Sequence, residues 1–240
     1  MVAVGASFGH KSPEPSAGCI MNLDYDALID GLIWFACLIP IIALHEFGHA
    51  WMASKRGDDT ARALGRVTIN PMAHIDPIGT VAIPGIIVLL GAMGNEALSG
   101  FLIGWGRPVP VNPGQFKHRA LDDVLVALAG PVMNIVLALF AVVVMRGALE
   151  VSLPAVYGGF RTLAILSLFL CFFNLLPIPP LDGSHVLKHL IGMSEMTYHR
   201  IAQYGIFILI VAINTPVVGG FLFGSTIGVF RAMAWIVGVE

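Results

Sequence analysis

Apolar stretches long enough to cross a lipid bilayer recur along this chain, and they constrain its fold more than any other feature. A hydrocarbon core about 30 Å thick takes roughly 20 residues of helix. By that rule, spans fall at 27–54, 78–94, 121–146, 160–182 and 201–223. The C-terminal IGVFRAMAWIVGVE reads as too short to cross and is expected at the interface. Only 12% of the residues are charged, against about 25% in a soluble domain, and 57% are hydrophobic. The fold class expected is an α-helical polytopic membrane protein with about five transmembrane helices.

The same composition limits the partners. A net charge of −2 with no basic block argues against nucleic acid and leaves the lipid bilayer as the surroundings. Cys19, Cys37 and Cys171 lie far apart without a C-x-x-C pair, so they read as free thiols. Residues 1–24 are rich in Gly, Ser and Pro and lack the apolar core of a signal peptide. They are expected to be a disordered lead-in, with Met21 an alternative start. Residues 25–240 then form a single transmembrane domain. Asp24, Asp26 and Asp30 precede or open the first span, while Lys55, Arg56, Arg62 and Arg66 close or follow it. The positive-inside rule places the N-terminus outside and residue 55 in the cytosol, although Arg107, Lys117 and Arg119 then fall on the outer side.

Two connections stand out. RALGRVTINPMAHIDPIG (62–79) alternates β-branched and polar residues between Gly and Pro, which predicts short strands and turns. A small membrane-associated β-hairpin would meet the rule that irregular backbone at membrane depth is buried in protein or lines a wet cavity, and an ordinary surface loop is the alternative. GWGRPVPVNPGQFK (104–117) is too rich in proline to be helical throughout and reads as a loop.

Within the first span, HEFGH (45–49) fits H-E-x-x-H. Four residues of helix turn about 400°, so His45 and His49 face one way. Glu46 is turned about 100° from His45, close enough for a metal-bound water and aimed away from direct ligation. Zinc takes nitrogen and oxygen ligands and keeps a position open for water at catalytic sites. Glu46 would take that water's proton as general base. A chance match is the bland alternative, yet ionisable residues inside a membrane span are costly and are functional by default.

Two histidines leave such a site one protein ligand short. Asp182 follows NLLPIPP, where Pro177, Pro179 and Pro180 interrupt the fourth span, and it is the only carboxylate between Glu150 and Glu195. It is the favoured third ligand, though it also suits a helix N-cap. His185 and His189, again four apart, form a rival pair. His74 is a weaker candidate, and His118 and His199 receive no role.

Three motifs together resemble the site-2 proteases, zinc metalloproteases that cleave within the membrane: HEFGH (45–49), AGPVMN (129–134) and NLLPIPPLDG (174–183). GRVTINPMAHIDPIGT (65–80) and GWGRPVPVNP (104–113) are also similar to stretches of small prokaryotic members, and the likeness runs from about residue 30 to 192. The resemblance implies one catalytic Zn2+, with His45, His49 and Asp182 as ligands and Glu46 as base. It makes His185 a supporting residue and places Asn134 and Asn174 where their amides would steady an oxyanion or hold substrate backbone. It also implies a transmembrane protein substrate, such as a membrane-anchored regulator, which unwinds and pairs with a membrane-dipping β-hairpin over 65–83. The location implied is a prokaryotic cell membrane, with the active site nearer the cytosol. Nothing in the chain corresponds to the PDZ or CBS domains of larger relatives. The competing readings are an intramembrane metal-ion transporter and an inactive relative that only binds helices. The first lacks the paired broken repeats common in transporters, and the second sits poorly with an intact H-E-x-x-H.

Overall fold

The computed structural model describes residues 23–95 and 104–239. The lead-in expected at 1–24, with Cys19 and Met21, lies outside the described residues except for its last two positions. The described chain is helical: α1 (Tyr25–Arg56), a short α2 (Thr60–Ala63), a π-helical turn Pro77–Ala82 running into α3 (Ile83–Ala92), α4 (Arg119–Glu150), α5 (Pro154–Asn174), α6 (Gly183–Leu190), α7 (Glu195–Ala202), α8 (Gly205–Ile213) and α9 (Pro216–Val237). Four of these, α1, α4, α5 and α9, are long and apolar enough to cross a membrane. The α7–α8 pair, bent by 61°, would make a fifth. A polytopic helical membrane fold is therefore the architecture.

Local chemistry sets the ends of α1. The Asp24 carboxylate accepts a hydrogen bond from the Ala27 N–H at 3.0 Å, and Gly57 closes the helix in the left-handed conformation at φ 108°. Lys55 and Arg56 complement the negative C-terminal end of the helix dipole. Arg56 Nε then donates to Asp122 Oδ1 at 2.5 Å, tying the end of α1 to the beginning of α4. These two helices run antiparallel, and α5 returns along α4 after a three-residue connection. Ile41, Val142, Met145 and Leu168 are fully buried where the three meet. Val132, Val136, Phe140 and Val143 of α4 point outward and are more than half exposed. An exposed apolar face of that kind suits lipid rather than water.

Four expectations need correction. Among the described residues no strand forms, so the β-hairpin over 65–83 is absent. Asn70–Pro71 and Asp76–Pro77 instead start helical turns, a 3-10 turn at Pro71–Ala73 and the π-helical turn at Pro77–Ala82. The Asn70 side chain accepts from the Met72 N–H, and the Asp76 carboxylate accepts from Ile78 and Gly79. Side-chain acceptors have taken the donors that a ladder would need. The span expected at 78–94 is a 16-residue apolar helix, shorter than a crossing helix. Finally, the apolar run 201–223 breaks at Asn214–Thr215, where Thr215 caps α9 and Pro216 opens it. The C-terminal residues assigned to the interface belong mostly to α9, which is long enough to span.

Candidate metal centre

His45 and His49 lie on the α1 face that meets α4. That crossing depends on two glycines. A Cβ on Gly48 would stand 2.6 Å from the Ala129 carbonyl oxygen and 2.8 Å from Met133 Cγ. A Cβ on Gly130 would meet His49 Nε2 and would lie 2.7 Å from His45 Cε1. Small residues of this sort let membrane helices approach closely. Here the approach leaves just enough room for two imidazoles against α4. Gly130→Ala is therefore expected to displace both rings and abolish stoichiometric zinc, as read by equilibrium dialysis. A glycine's role against a residue 81 positions away was not visible in the sequence.

The third side chain arrives from the turn after α5. Asp182 occupies the N-cap position of α6, yet it makes no capping hydrogen bond. Its Oδ2 is buried without a hydrogen-bond partner, 3.3 Å from His45 Nε2 and 3.4 Å from His49 Nε2. The two Nε2 atoms are 3.0 Å apart. Among the described residues, this is the cluster of His, Cys, Asp or Glu whose atoms converge closely enough for a metal ion. Ligands about 2.0–2.2 Å from a tetrahedral zinc lie about 3.3–3.6 Å from one another. The triangle is thus near zinc-sized, and its orphaned carboxylate oxygen has no other satisfied role. The residues present fit the ion.

Each imidazole is also held from behind. His49 Nδ1 lies 2.8 Å from the Val126 carbonyl oxygen. A carbonyl can only accept, so Nδ1 carries the proton and the Nε2 lone pair faces the cluster. His45 Nδ1 lies 3.3 Å from the side-chain amide of Asn134, which is fully buried and donates no charge. The buried Asn134 Oδ1 has no other hydrogen-bond partner. Turning the amide over would give Oδ1 the His45 Nδ1 proton and leave Nε2 free. Asn174 donates to the Leu170 carbonyl oxygen at 3.0 Å. Of the other histidines, His74 is sealed and lies 2.8 Å from the Thr68 carbonyl oxygen, while His185 and His189 both reach Asp123.

Glu46 is half-buried beside an extended strap, residues 104–112. Its Oε2 accepts the Val109 N–H at 3.1 Å, and Gly106 passes close to Ile42 and to Glu46 Cγ. Backbone bonds anchor the strap: Trp105 N to Gly79 O at 3.2 Å and Arg107 N to His74 O at 2.8 Å. Buried Arg66 fastens the same region, donating to the carbonyl oxygens of Ala73, Arg107 and Pro108. Sequence reasoning gave Arg66 only a topological role. Its separation from the strap, about 40 residues, concealed the clamp.

Four apolar helices long enough to span, with a two-histidine, one-carboxylate cluster where α1 crosses α4, suit an intramembrane metalloenzyme. The model of peptidase family M50 matches residues 33–156 and 149–213. YwhC of Bacillus subtilis, named as a candidate zinc metalloprotease, is 38% identical over 189 residues, covering 75% of this chain and 78% of its own length. Rip2 of Mycobacterium tuberculosis, named in the same way, is 30% identical over 190 residues, covering 79% of this chain and 69% of its own length. No solved structure matches. The chain belongs to peptidase family M50, and it is an intramembrane zinc metalloprotease.

Proposed function

We propose that His45, His49 and Asp182 hold the zinc ion, that Glu46 is the catalytic base, and that the substrate is a membrane-anchored protein cut within or near its transmembrane segment. The observation that carries the reading is the convergence of His45 Nε2, His49 Nε2 and the orphaned Asp182 Oδ2 within 3.4 Å of one another. Zinc held there supplies Lewis acidity, polarising a carbonyl and making hydroxide available near neutral pH. Glu46 adjoins the first ligand in sequence and takes the proton of the attacking water. It then delivers that proton to the leaving amine, as one carboxylate can do in both halves of a hydrolysis. The Val109 N–H holds one oxygen of Glu46 in place, so the other is left for the water.

The two asparagines divide the remaining work. Asn134, buried against His45, orients that ligand. Asn174, half-buried eight residues before Asp182, is the one suited to donating to an oxyanion or to substrate backbone. Asn134→Leu is expected to lower zinc affinity about 10–100-fold, the usual cost of losing a group behind a metal ligand. Chelator competition on the purified protein would measure it.

For orientation, the ligand histidines lie 7 and 11 residues before Arg56, whose end of α1 carries the positive charge. At 1.5 Å per residue, that is about 11–17 Å from the basic end, against about 30 Å from Tyr25. The active site then sits nearer the cytosolic face of a prokaryotic cell membrane. The test is cleavage of a model transmembrane substrate by purified protein in liposomes. Loss of cleavage on zinc chelation and its return with added zinc are expected. Cleavage unaffected by chelation would overturn the reading.

A further inference from the structure

The histidine pair that competed with Asp182 in the sequence has a different partner. His185, Lys188 and His189 stand at i, i+3 and i+4 on α6 and so share a face. All three reach one oxygen of Asp123 on α4: His185 Nδ1 at 3.2 Å, Lys188 Nζ at 2.9 Å and His189 Nε2 at 2.7 Å from Oδ2. Asp123 and Lys188 are each about 95% buried. Lys188 also reaches Glu195 Oε1 at 3.3 Å, at the beginning of α7. The lysine ammonium fills the position that a cation would need, so this is a clamp and not a second metal site.

Its place in the fold gives the clamp a purpose. Asp182 is the residue immediately before α6, and α6 packs principally on α4. On the other side of Asp182, Leu176 and Leu181 are fixed in an apolar cluster with Leu209 and Leu222. The apolar contact between α6 and α4 is incomplete: a cleft of about 230 Å³ lies between them, lined by Leu128, Leu175, Pro177, Val186 and Leu187. The buried contacts of Asp123 with His185, Lys188 and His189 add a polar hold on α6 beside that cleft. Burial alone would lower the pKa of Lys188, but Asp123 and Glu195 outweigh it and hold the ammonium above its ordinary value. The lysine thus keeps its charge throughout the neutral range and loses it only as pH rises past that raised value.

We infer that Asp123 is a positioning residue for the metal centre: by gripping His185, Lys188 and His189, it locks α6 and so sets Asp182 against His45 and His49. The inference rests on Asp182 being a ligand. Asp123→Asn keeps the shape and removes the charge that gathers the three donors. Lys188→Met leaves the two imidazole contacts and is the milder variant. Groups that support metal ligands are commonly worth 10–100-fold in affinity. Zinc affinity, by chelator competition on the full chain in detergent, should fall by that much in Asp123→Asn and by less in Lys188→Met. Hydrogen exchange of the zinc-free protein should show faster exchange confined to α6 and the turn before it. Wild-type zinc affinity in Asp123→Asn would overturn the inference. So would an equal loss of protection across α1, α4 and α5, which marks a merely structural role. Asp182→Ala is the control: if it keeps zinc, the ligand assignment itself fails. If it loses zinc while Asp123→Asn binds normally, only the clamp fails.

Discussion

Glu46→Gln is expected to remove peptide hydrolysis and leave zinc binding intact. The substitution keeps the size of the side chain and an oxygen that can accept the Val109 N–H. It removes only the capacity to take a proton from water and return it to the amine. Positioned acid–base groups contribute about 10²–10⁴-fold, so cleavage should fall by at least that range. Metal content per chain should match wild type, because the atoms that converge for a metal belong to His45, His49 and Asp182 and not to Glu46. Paired rate and metal measurements on one preparation check both halves. A Glu46→Gln variant that cleaves at the wild-type rate would end its assignment as the base.

Asp182→Ala is expected to abolish zinc-dependent stabilisation. A ligand that binds only the folded protein stabilises it by RT ln(1 + [L]/Kd), about 4 kcal/mol at a thousandfold excess over Kd. Wild type should therefore melt at a higher temperature as free zinc rises, and so should Glu46→Gln. Asp182→Ala should not respond, since two imidazoles alone are left facing one another at 3.0 Å. The loss should exceed that of Asp123→Asn, which leaves the ligand itself in place. Thermal unfolding across a zinc titration, run on all four proteins, checks the order. A full zinc response in Asp182→Ala would remove it from the coordination sphere.

The parts of this protein legible in its sequence are those written in short-range spacing. His45 and His49 share a face because a helix has 3.6 residues per turn, and the spans of α1, α4 and α5 follow from apolar length. Asp182 stands alone as a carboxylate after the prolines of the fourth apolar run, but its 3.3–3.4 Å approach to both imidazoles is visible only in the fold. The misreadings were local as well. The alternation of β-branched and polar residues over 65–83 suggested strands, but Asn-Pro and Asp-Pro are turn starters whose side chains take the backbone donors. A continuous apolar run hid the break at Asn214–Pro216, where a capping threonine and a proline divide one apparent span. Long-range contacts left no mark at all. Asp123 and His189 are 66 residues apart, and Gly130 shows its purpose only when a side chain is imagined against His49.

Zinc K-edge X-ray absorption of the purified protein tests the central claim most directly. The account predicts one zinc per chain with nitrogen and oxygen neighbours at about 2.0–2.2 Å and no sulfur, and a changed first shell in His45→Ala. A sulfur neighbour at about 2.3 Å, or a first shell unaltered by loss of His45, would contradict it.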